Sequence, residues 1–210
     1  CRIVYMSGNT LTWRFLDTEQ GSAMFNMALD MSLFRSVSNG SSRPTIRFFL
    51  WERDSITVGY TQKAVDILDC GRCIHDNIDV ARRPTGGRSV FHAREIAYSV
   101  IGPVSDSVFG GSIMKTYRTV SMVLCNALKD IGYHAELSHG KLGSGRPGSS
   151  PSPCFASTSR YEVTIDKRKV IGSAQRRVGG FFLQQGSILI GNGHERIVDY
   201  LKDRRQASLY

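Results

Sequence analysis

The sequence has 210 residues and no apolar run near the ~18 residues that a membrane-spanning helix needs, which excludes such a helix. It has no long block of Lys or Arg and no basic motif interleaved with aromatic residues, so neither nucleic acid nor a membrane is an expected partner. Acidic residues are few, with 18 against 27 Lys and Arg, and the net charge is +9. This excess attracts acidic molecules, and we expect an acidic protein as partner.

The cysteine content is also low. Five cysteines are an odd number, which argues against a complete disulfide framework and favours a reducing cytoplasm. Cys70 and Cys73 form a lone C-x-x-C motif with no second ligand pair at zinc-site spacing, so no metal site is predicted. Cys125 falls on the apolar side of a predicted helix and is expected in the core.

The length fits one domain over residues 1–210, and the start at Cys1 leaves open that the sequence is truncated at its ends. Helical periodicity and strand-like alternation are intermixed, and short turns between strands predict antiparallel pairing. The expected fold class is α/β (α+β), with a mostly antiparallel mixed sheet and flanking helices. Helices are predicted over 21–37, 62–74, 112–131 and 194–205, and strands over 12–17, 45–51, 55–60, 78–83, 95–102, 161–165, 170–174, 181–183 and 187–190, with a hairpin turn at 166–169.

A glycine turn between two predicted strands is the first candidate site. Arg82 to His92 read R-R-P-T-G-G-R-S-V-F-H. Adjacent glycines permit backbone angles that other residues resist, and they let amides approach a ligand's carbonyl or phosphate. Flanking arginines are suited to an anionic group. The alternatives are a plain Gly-Gly hairpin and, for His92, a hydrogen-bonded structural histidine.

Cys154 and Lys169 are the second and third candidates. Cys154 ends a Gly-, Ser- and Pro-rich loop over 138–153, where substrate has access and a thiol is a good nucleophile. Lys169 enters a strand of apolar and small residues, so its stem can be buried while its amine faces a pocket. Gly172, Ser173 and Ala174 then leave a slot for a narrow alkyl chain, although tight sheet packing uses the same residues. Lys167 and Arg168 are expected to be solvated.

Together these segments resemble the biotin/lipoate protein ligase and octanoyltransferase superfamily. The resemblance rests on the glycine turn, on Cys154-Phe155, on K-V-I-G-S-A-Q from Lys169 and on L-Q-Q-G-S-I-L from Leu183. It covers residues 12–200 and is nearest to the cysteine-dependent octanoyl-[acyl carrier protein]:protein N-octanoyltransferases. It implies the catalytic fold shared by biotin ligases and class II aminoacyl-tRNA synthetases. Ala93 and Met31 replace acidic residues usual in the family, and we interpret both positions as peripheral.

The resemblance also implies a reaction. Octanoyl would pass from acyl carrier protein to a thioester on Cys154, and then to a lysine of a lipoyl domain or glycine-cleavage H protein, without a cofactor. Cys154 and Lys169 would be catalytic. The substrate-binding residues implied are Arg83, Thr85, Gly86, Gly87, Arg88, Ser89, Val90, His92, Gly172, Ser173 and Ala174.

Three other functions remain open at this point. A lipoate-protein ligase would need ATP and Mg²⁺, although such ligases typically have a third glycine where this chain has Arg88. An octanoyl amidotransferase acting between lipoyl domains would share the cysteine chemistry. A non-catalytic module that binds an acyl carrier would need neither Cys154 nor Lys169.

Overall fold

The computed structural model describes residues 2–6, 12–138 and 161–203. Cys154 lies outside these described residues. The strands are β1 (Arg2–Met6), β2 (Trp13–Gly21), β3 (Thr45–Trp51), β4 (Ser55–Val58), β5 (Asp79–Arg82), β6 (Val90–His92), β7 (Glu95–Pro103), β8 (Ala135–Leu137), β9 (Val163–Ile165), β10 (Arg168–Lys169), β11 (Ile171–Val178) and β12 (Phe181–Leu189). The helices are α1 (Ala23–Ser38), α2 (Ala64–Ile67), α3 (Cys70–His75) and α4 (Ile113–Asp130), and His194–Tyr200 form a 3₁₀-helix.

A six-stranded sheet is the centre of the fold, with strand order β1-β2-β3-β7-β12-β11. Only the β2–β3 pair in it is parallel, and the other neighbours are antiparallel, which confirms the expected mostly antiparallel mixed sheet. Helix α1 covers one face, where Leu33 and Phe34 join Ile101 and Leu183 in one buried cluster. On the other face α4, β8 and β9 form a second cluster around Phe182.

A second sheet of three strands, in the order β5-β4-β6, carries the glycine turn. Its buried side chains, including Ile56 and Phe91, pack with Leu68 and Leu201 from the segments around it. Strands β3 and β4 follow each other in sequence but belong to different sheets, so their short connection brings the two sheets together. The glycine turn after β5 therefore lies beside the large sheet.

The hairpin around 166–169 differs from the prediction in its second strand. Strand β10 pairs with β9 over two residues only, and the chain then enters β11, which pairs with β12. The turn residues Asp166 and Lys167 have φ of 48° and 63°, a left-handed conformation typical of tight hairpin turns. Lys169 thus lies where the chain passes from a small sheet, β10-β9-β8, into the large one.

Several other element predictions needed correction. The predicted helix over 62–74 is two short helices, and the predicted strands over 181–183 and 187–190 are the single strand β12. The polar pair Gln184 and Gln185 broke the apolar pattern there, although both side chains are buried. On α4, Met114 and Val123 are exposed although they are apolar, whereas Cys125 is in the core as expected. In the described part of the chain no helix is long and apolar enough to cross a membrane.

Candidate functional site

A mostly apolar pocket of about 130 Å³ lies where the small β5-β4-β6 sheet meets β7, β11 and β12. A cavity of this order (~150 Å³) can hold a benzene-sized apolar molecule. The candidate residues that line it are Arg83, Thr85, Gly87, Val90, His92, Lys169, Gly172, Ser173 and Ala174. Gly86, Arg88 and Ser89 are in the glycine turn but not in the pocket wall.

Close backbone packing holds the glycine turn in place. A Cβ atom on Gly59, just after β4, would lie 1.9 Å from the carbonyl oxygen of Gly87, so no other residue fits there. Gly87 itself has φ of 95°, whereas Gly86 has no positive φ. The buried Arg83 guanidinium donates hydrogen bonds to the carbonyl oxygens of Gly86 (2.9 Å) and Arg88 (2.5 Å). These bonds make Arg83 a brace for the turn, which agrees with a role in pocket shape.

His92 is held by hydrogen bonds at both ring nitrogens. Its Nδ1 lies 2.7 Å from Glu95 Oε1, and its Nε2 lies 2.7 Å from Thr57 Oγ1. The ring stacks on Trp51 at a centroid distance of 4.2 Å. Glu95 Oε1 also accepts hydrogen bonds from Trp51 Nε1 (2.9 Å) and Ser187 Oγ (2.7 Å). This geometry favours the structural interpretation of His92, which fixes the pocket wall.

Lys169 also lines the pocket. Only 6% of its side chain is exposed, and its Nζ is 2.6 Å from Oε1 of Glu162, an ion pair that is equally buried. A buried ammonium beside an apolar cavity is suited to stabilise negative charge that develops on a reacting group. Glu162 had no signal in the sequence, because its contact with Lys169 depends on the register of the β9–β10 hairpin.

The part of the pocket that follows Lys169 is lined by the small residues Gly172, Ser173 and Ala174. Gly172 and Ser173 on β11 pair with Ser187 and Gly186 on β12. A Cβ atom on Gly186 would lie 2.5 Å from both the Tyr98 ring and the Gly172 carbonyl oxygen. The Tyr98 hydroxyl is 2.6 Å from Ser173 Oγ, and burial raises the pKa of Tyr98, so this hydroxyl stays neutral at physiological pH. The slot therefore presents small and neutral groups.

A buried polar network beneath the pocket was not predicted. Arg47 and Asp30 form a fully buried ion pair at 2.7 Å, and burial raises the pKa of Asp30. Gln185 Nε2 donates to Asp30 Oδ2 (2.6 Å), while Gln185 Oε1 accepts from Thr85 Oγ1 (3.0 Å). Thr85 in the glycine turn is thus connected to the core. A charged Arg47 inside the apolar strand T-I-R-F-F-L-W was the one sequence signal for this network.

The apolar end of the pocket was also missed. Met27, Phe49 and Ala97 belong to one buried cluster, and Trp51 packs against it. All four line the pocket together with Lys169 and the small residues of β11. Met27 fits the apolar periodicity of α1, which by itself indicates only a core residue. The pocket therefore combines a buried lysine with apolar side chains.

Cys73 of the C-x-x-C motif is poorly suited to act as a nucleophile. Cys73 is buried, and burial together with the neighbouring Cys70 and acidic residues raises its pKa to about 11. Its thiol is therefore protonated at neutral pH, and only the thiolate is a strong nucleophile. Within 2–6, 12–138 and 161–203, no group of three or more His, Cys, Asp and Glu residues could hold a metal ion.

Comparison with known proteins identifies a matching protein family and several relatives. The family model of the lipoyl protein ligase A/B catalytic domain matches residues 22–209. Octanoyltransferase LipM of Carboxydothermus hydrogenoformans is 37% identical over 191 residues, covering 91% of this chain and 70% of that protein. Octanoyltransferase LipM of Kyrpidia tusciae is 39% identical over 197 residues, with the same coverage.

A solved structure confirms the lipoate-ligase part of the expected fold. It comes from an archaeal lipoylation system of Thermoplasma acidophilum, a bipartite lipoate protein ligase and its E2 lipoyl domain. The alignment has a TM-score of 0.69 at 25% identity, and covers 92% of this chain and 68% of that chain.

Proposed function

This chain belongs to the lipoyl protein ligase A/B catalytic-domain family, and we propose that it carries octanoyl from acyl carrier protein, through a thioester on Cys154, to a lysine of a lipoyl domain or H protein. Its relatives at 37% and 39% identity are octanoyltransferases, and the chain is an octanoyltransferase of lipoate biosynthesis. The donor, the acceptor and the covalent step are our proposals. The observation that carries them is the buried Lys169 in the wall of a mostly apolar pocket.

The proposed reaction has two transfers. The Cys154 thiolate attacks the carbonyl carbon of the octanoyl thioester, and the carrier's thiolate leaves. The amine of the acceptor lysine then attacks the new thioester, loses a proton and expels the Cys154 thiolate, which leaves an amide. Lys169 would stabilise the thiolate and orient the carbonyl, and backbone amides around Gly86 to Val90 would stabilise the tetrahedral oxyanion.

The shape of the pocket suits an unbranched acyl chain. The small residues of β11 leave room for methylene groups, and Met27, Phe49 and Ala97 form an apolar end for the terminal methyl group. Each buried methylene contributes about 0.8 kcal/mol. Octanoyl therefore gains most of its binding energy away from the carbonyl, whose surroundings are left for chemistry.

A lipoyl domain is the proposed acceptor class. The archaeal structural relative is a ligase described together with its E2 lipoyl domain. The net charge of +9 suits acidic partners, which would include both the carrier and the acceptor.

The ATP-dependent lipoate ligase is the second candidate, since the structural relative is named a lipoate protein ligase. The octanoyltransferase relatives and Arg88 in place of a third glycine favour a thioester donor instead. We therefore propose no cofactor, and neither ATP nor Mg²⁺.

The test is intact-mass analysis of the enzyme after incubation with octanoyl-acyl carrier protein and no acceptor. We expect one octanoyl adduct, labile to hydroxylamine, on the peptide that contains Cys154. Cys154→Ser should lose most turnover, because a hydroxyl is a much weaker nucleophile than a thiolate.

Matched controls are Cys70→Ser, Cys73→Ser and Cys125→Ser, which should still form the adduct, although the last would bury a hydroxyl and cost stability. Acceptor modification is measured in parallel from octanoate with ATP. Transfer by Cys154→Ser at the normal rate would exclude the covalent route, and strict dependence on ATP would favour the ligase.

A further inference from the structure

The register of the β9–β10 hairpin brings Glu162 and Lys169 into contact. Lys169 pairs with Thr164 in the β9–β10 ladder, and the Val170 amide donates to the Val163 carbonyl. In this register Glu162 is a diagonal neighbour of Lys169 on the same face, a spacing that long side chains bridge. Their charged atoms are 2.6 Å apart, and their side chains are 5% and 6% exposed.

Helix α4 and strand β11 both contact β9, the strand that directly follows Glu162. Burial, and then the charge of Glu162, raises the pKa of Tyr117 on α4. Tyr117 also hydrogen bonds to Ser173, whose Oγ is 2.6 Å from the Tyr98 hydroxyl. Ser173 and Lys169 both line the pocket. Glu162 is not among the residues that line the pocket, so its contact with the pocket runs through Lys169.

Stability alone does not account for a buried ion pair at this place. Desolvation of two charges offsets much of their attraction, and an apolar pair of similar volume is often as stable. The gain from the pair is geometric, because a lysine side chain has about 2 kcal/mol of rotamer entropy and a fixed partner selects one arrangement.

We propose that Glu162 is a positioning residue of the transfer reaction. Its carboxylate holds the Lys169 ammonium in the pocket wall, where that charge can act on the acyl carbonyl. The role rests on the proposed function, and it requires no contact between Glu162 and the substrate.

The test is a double-mutant cycle of Glu162→Gln and Lys169→Met, measured by single-turnover acylation with octanoyl-acyl carrier protein. Glu162→Gln should slow acylation about 10²-fold with little change in KM, the loss that a misplacement of ~1 Å causes. In the Lys169→Met background it should change the rate by less than about twofold, since the two residues act as one unit. Glu162→Asp should recover part of the loss.

Glu136→Gln is the matched control, since Glu136 is an exposed glutamate on β8, in the same small sheet, whereas Glu162 is buried. Thermal unfolding of every variant separates misfolding from misplacement, and the double variant should unfold nearer to wild type than either single variant. Equal losses from Glu162→Gln in both backgrounds would overturn the proposal, as would a wild-type rate in Glu162→Gln.

A second measurement does not depend on catalysis. Labelling with an amine-reactive acetyl ester, followed by peptide mass analysis, should leave Lys169 protected in the wild-type protein and modify it in Glu162→Gln. If the wild-type enzyme forms no acyl adduct but this difference appears, the positioning of Lys169 stands and the covalent function fails. Equal labelling in both proteins refutes the positioning whatever the enzyme's activity.

Discussion

Two lysines of one hairpin have opposite environments. Lys167 is in the turn, with an exposed side chain, whereas Lys169, two residues later, is buried beside Glu162. The sequence predicted this difference, since Lys167 lies among turn residues and Lys169 precedes an apolar strand. It could not predict Glu162, because that contact depends on the register of the hairpin.

The first prediction follows from this pair of lysines. Lys169→Ala should reduce turnover on the order of 10²- to 10⁴-fold, the range expected for loss of a group that assists charge and proton movement. Lys167→Ala should leave turnover within about twofold. Alanine and lysine both have a Cβ atom, so the change adds no backbone strain at a φ of 63°. Steady-state transfer of octanoyl to a lipoyl domain measures both.

Unfolding of the Lys169 variant is the necessary control, since the buried Glu162 would lose its ion pair with Lys169, and breaking a buried ion pair costs about 3–5 kcal/mol. Lys169→Ala combined with Glu162→Gln should recover stability without recovering turnover. Equal and mild effects of the two lysine changes would remove Lys169 from the mechanism.

Other site residues differed in how visible they were in the sequence. Adjacent glycines predicted a special turn, and Gly87 has the positive φ that this requires, with Gly59 packed against it. The Asp30–Arg47 pair joins residues 17 positions apart on a helix and a strand, which no local pattern connects. Local backbone chemistry was therefore predictable, and long-range polar pairing was not.

At the scale of elements, helix α1 contributes to the pocket with one face only. Ser22 caps it, its Oγ accepting a hydrogen bond from the Phe25 amide. Met27 is buried and lines the pocket, whereas Met24, one turn earlier, is 68% exposed. One helix thus offers a test residue and a matched control of the same type.

We predict that Met27→Ala lengthens the preferred acyl chain. The shorter side chain leaves space for about two more methylenes, worth about 1.6 kcal/mol, so the decanoyl-to-octanoyl ratio of kcat/KM should rise about tenfold. Met24→Ala should leave the ratio unchanged. Competition between the two acyl donors, read by mass analysis of the acceptor, gives the ratio directly. An unchanged ratio in Met27→Ala would place the end of the acyl chain elsewhere.

Strand predictions succeeded or failed for identifiable reasons. Residues Thr45–Trp51 were predicted with their observed bounds, because one apolar run ends in turn residues. Strand β12 was split in the prediction by its buried glutamines, whose partners Gln175, Thr85 and Asp30 come from other elements. Strand β11 was assigned to β9, although it pairs with β12, from which a turn of only two residues separates it. Which strands pair with each other is a tertiary property that the periodicity of the sequence does not predict.

At the scale of the whole molecule, the pocket depends on two sheets that meet. Its walls come from β4, β6 and the glycine turn beside the small sheet, and from β3, β7, β11 and β12 of the large sheet, with Met27 from α1. Sequence motifs predicted the order of the segments, but only the folded chain shows that the glycine turn and Lys169 share one cavity.

The last prediction concerns the charge of the whole molecule. A net charge of +9 should steer an acidic carrier protein and have little effect on a neutral donor. The value of kcat/KM for octanoyl-acyl carrier protein should therefore fall about tenfold or more between about 0.01 M and about 1 M salt, over which the screening length falls from ~30 to ~3 Å. Octanoyl-pantetheine carries the same thioester without the protein, so its kcat/KM should change by less than about twofold. Initial rates of acyl-enzyme formation measure both donors at the same Cys154. The same salt response from the two donors would show that the charge acts on the enzyme itself, and no response from either would leave the basic surface without a role in donor binding.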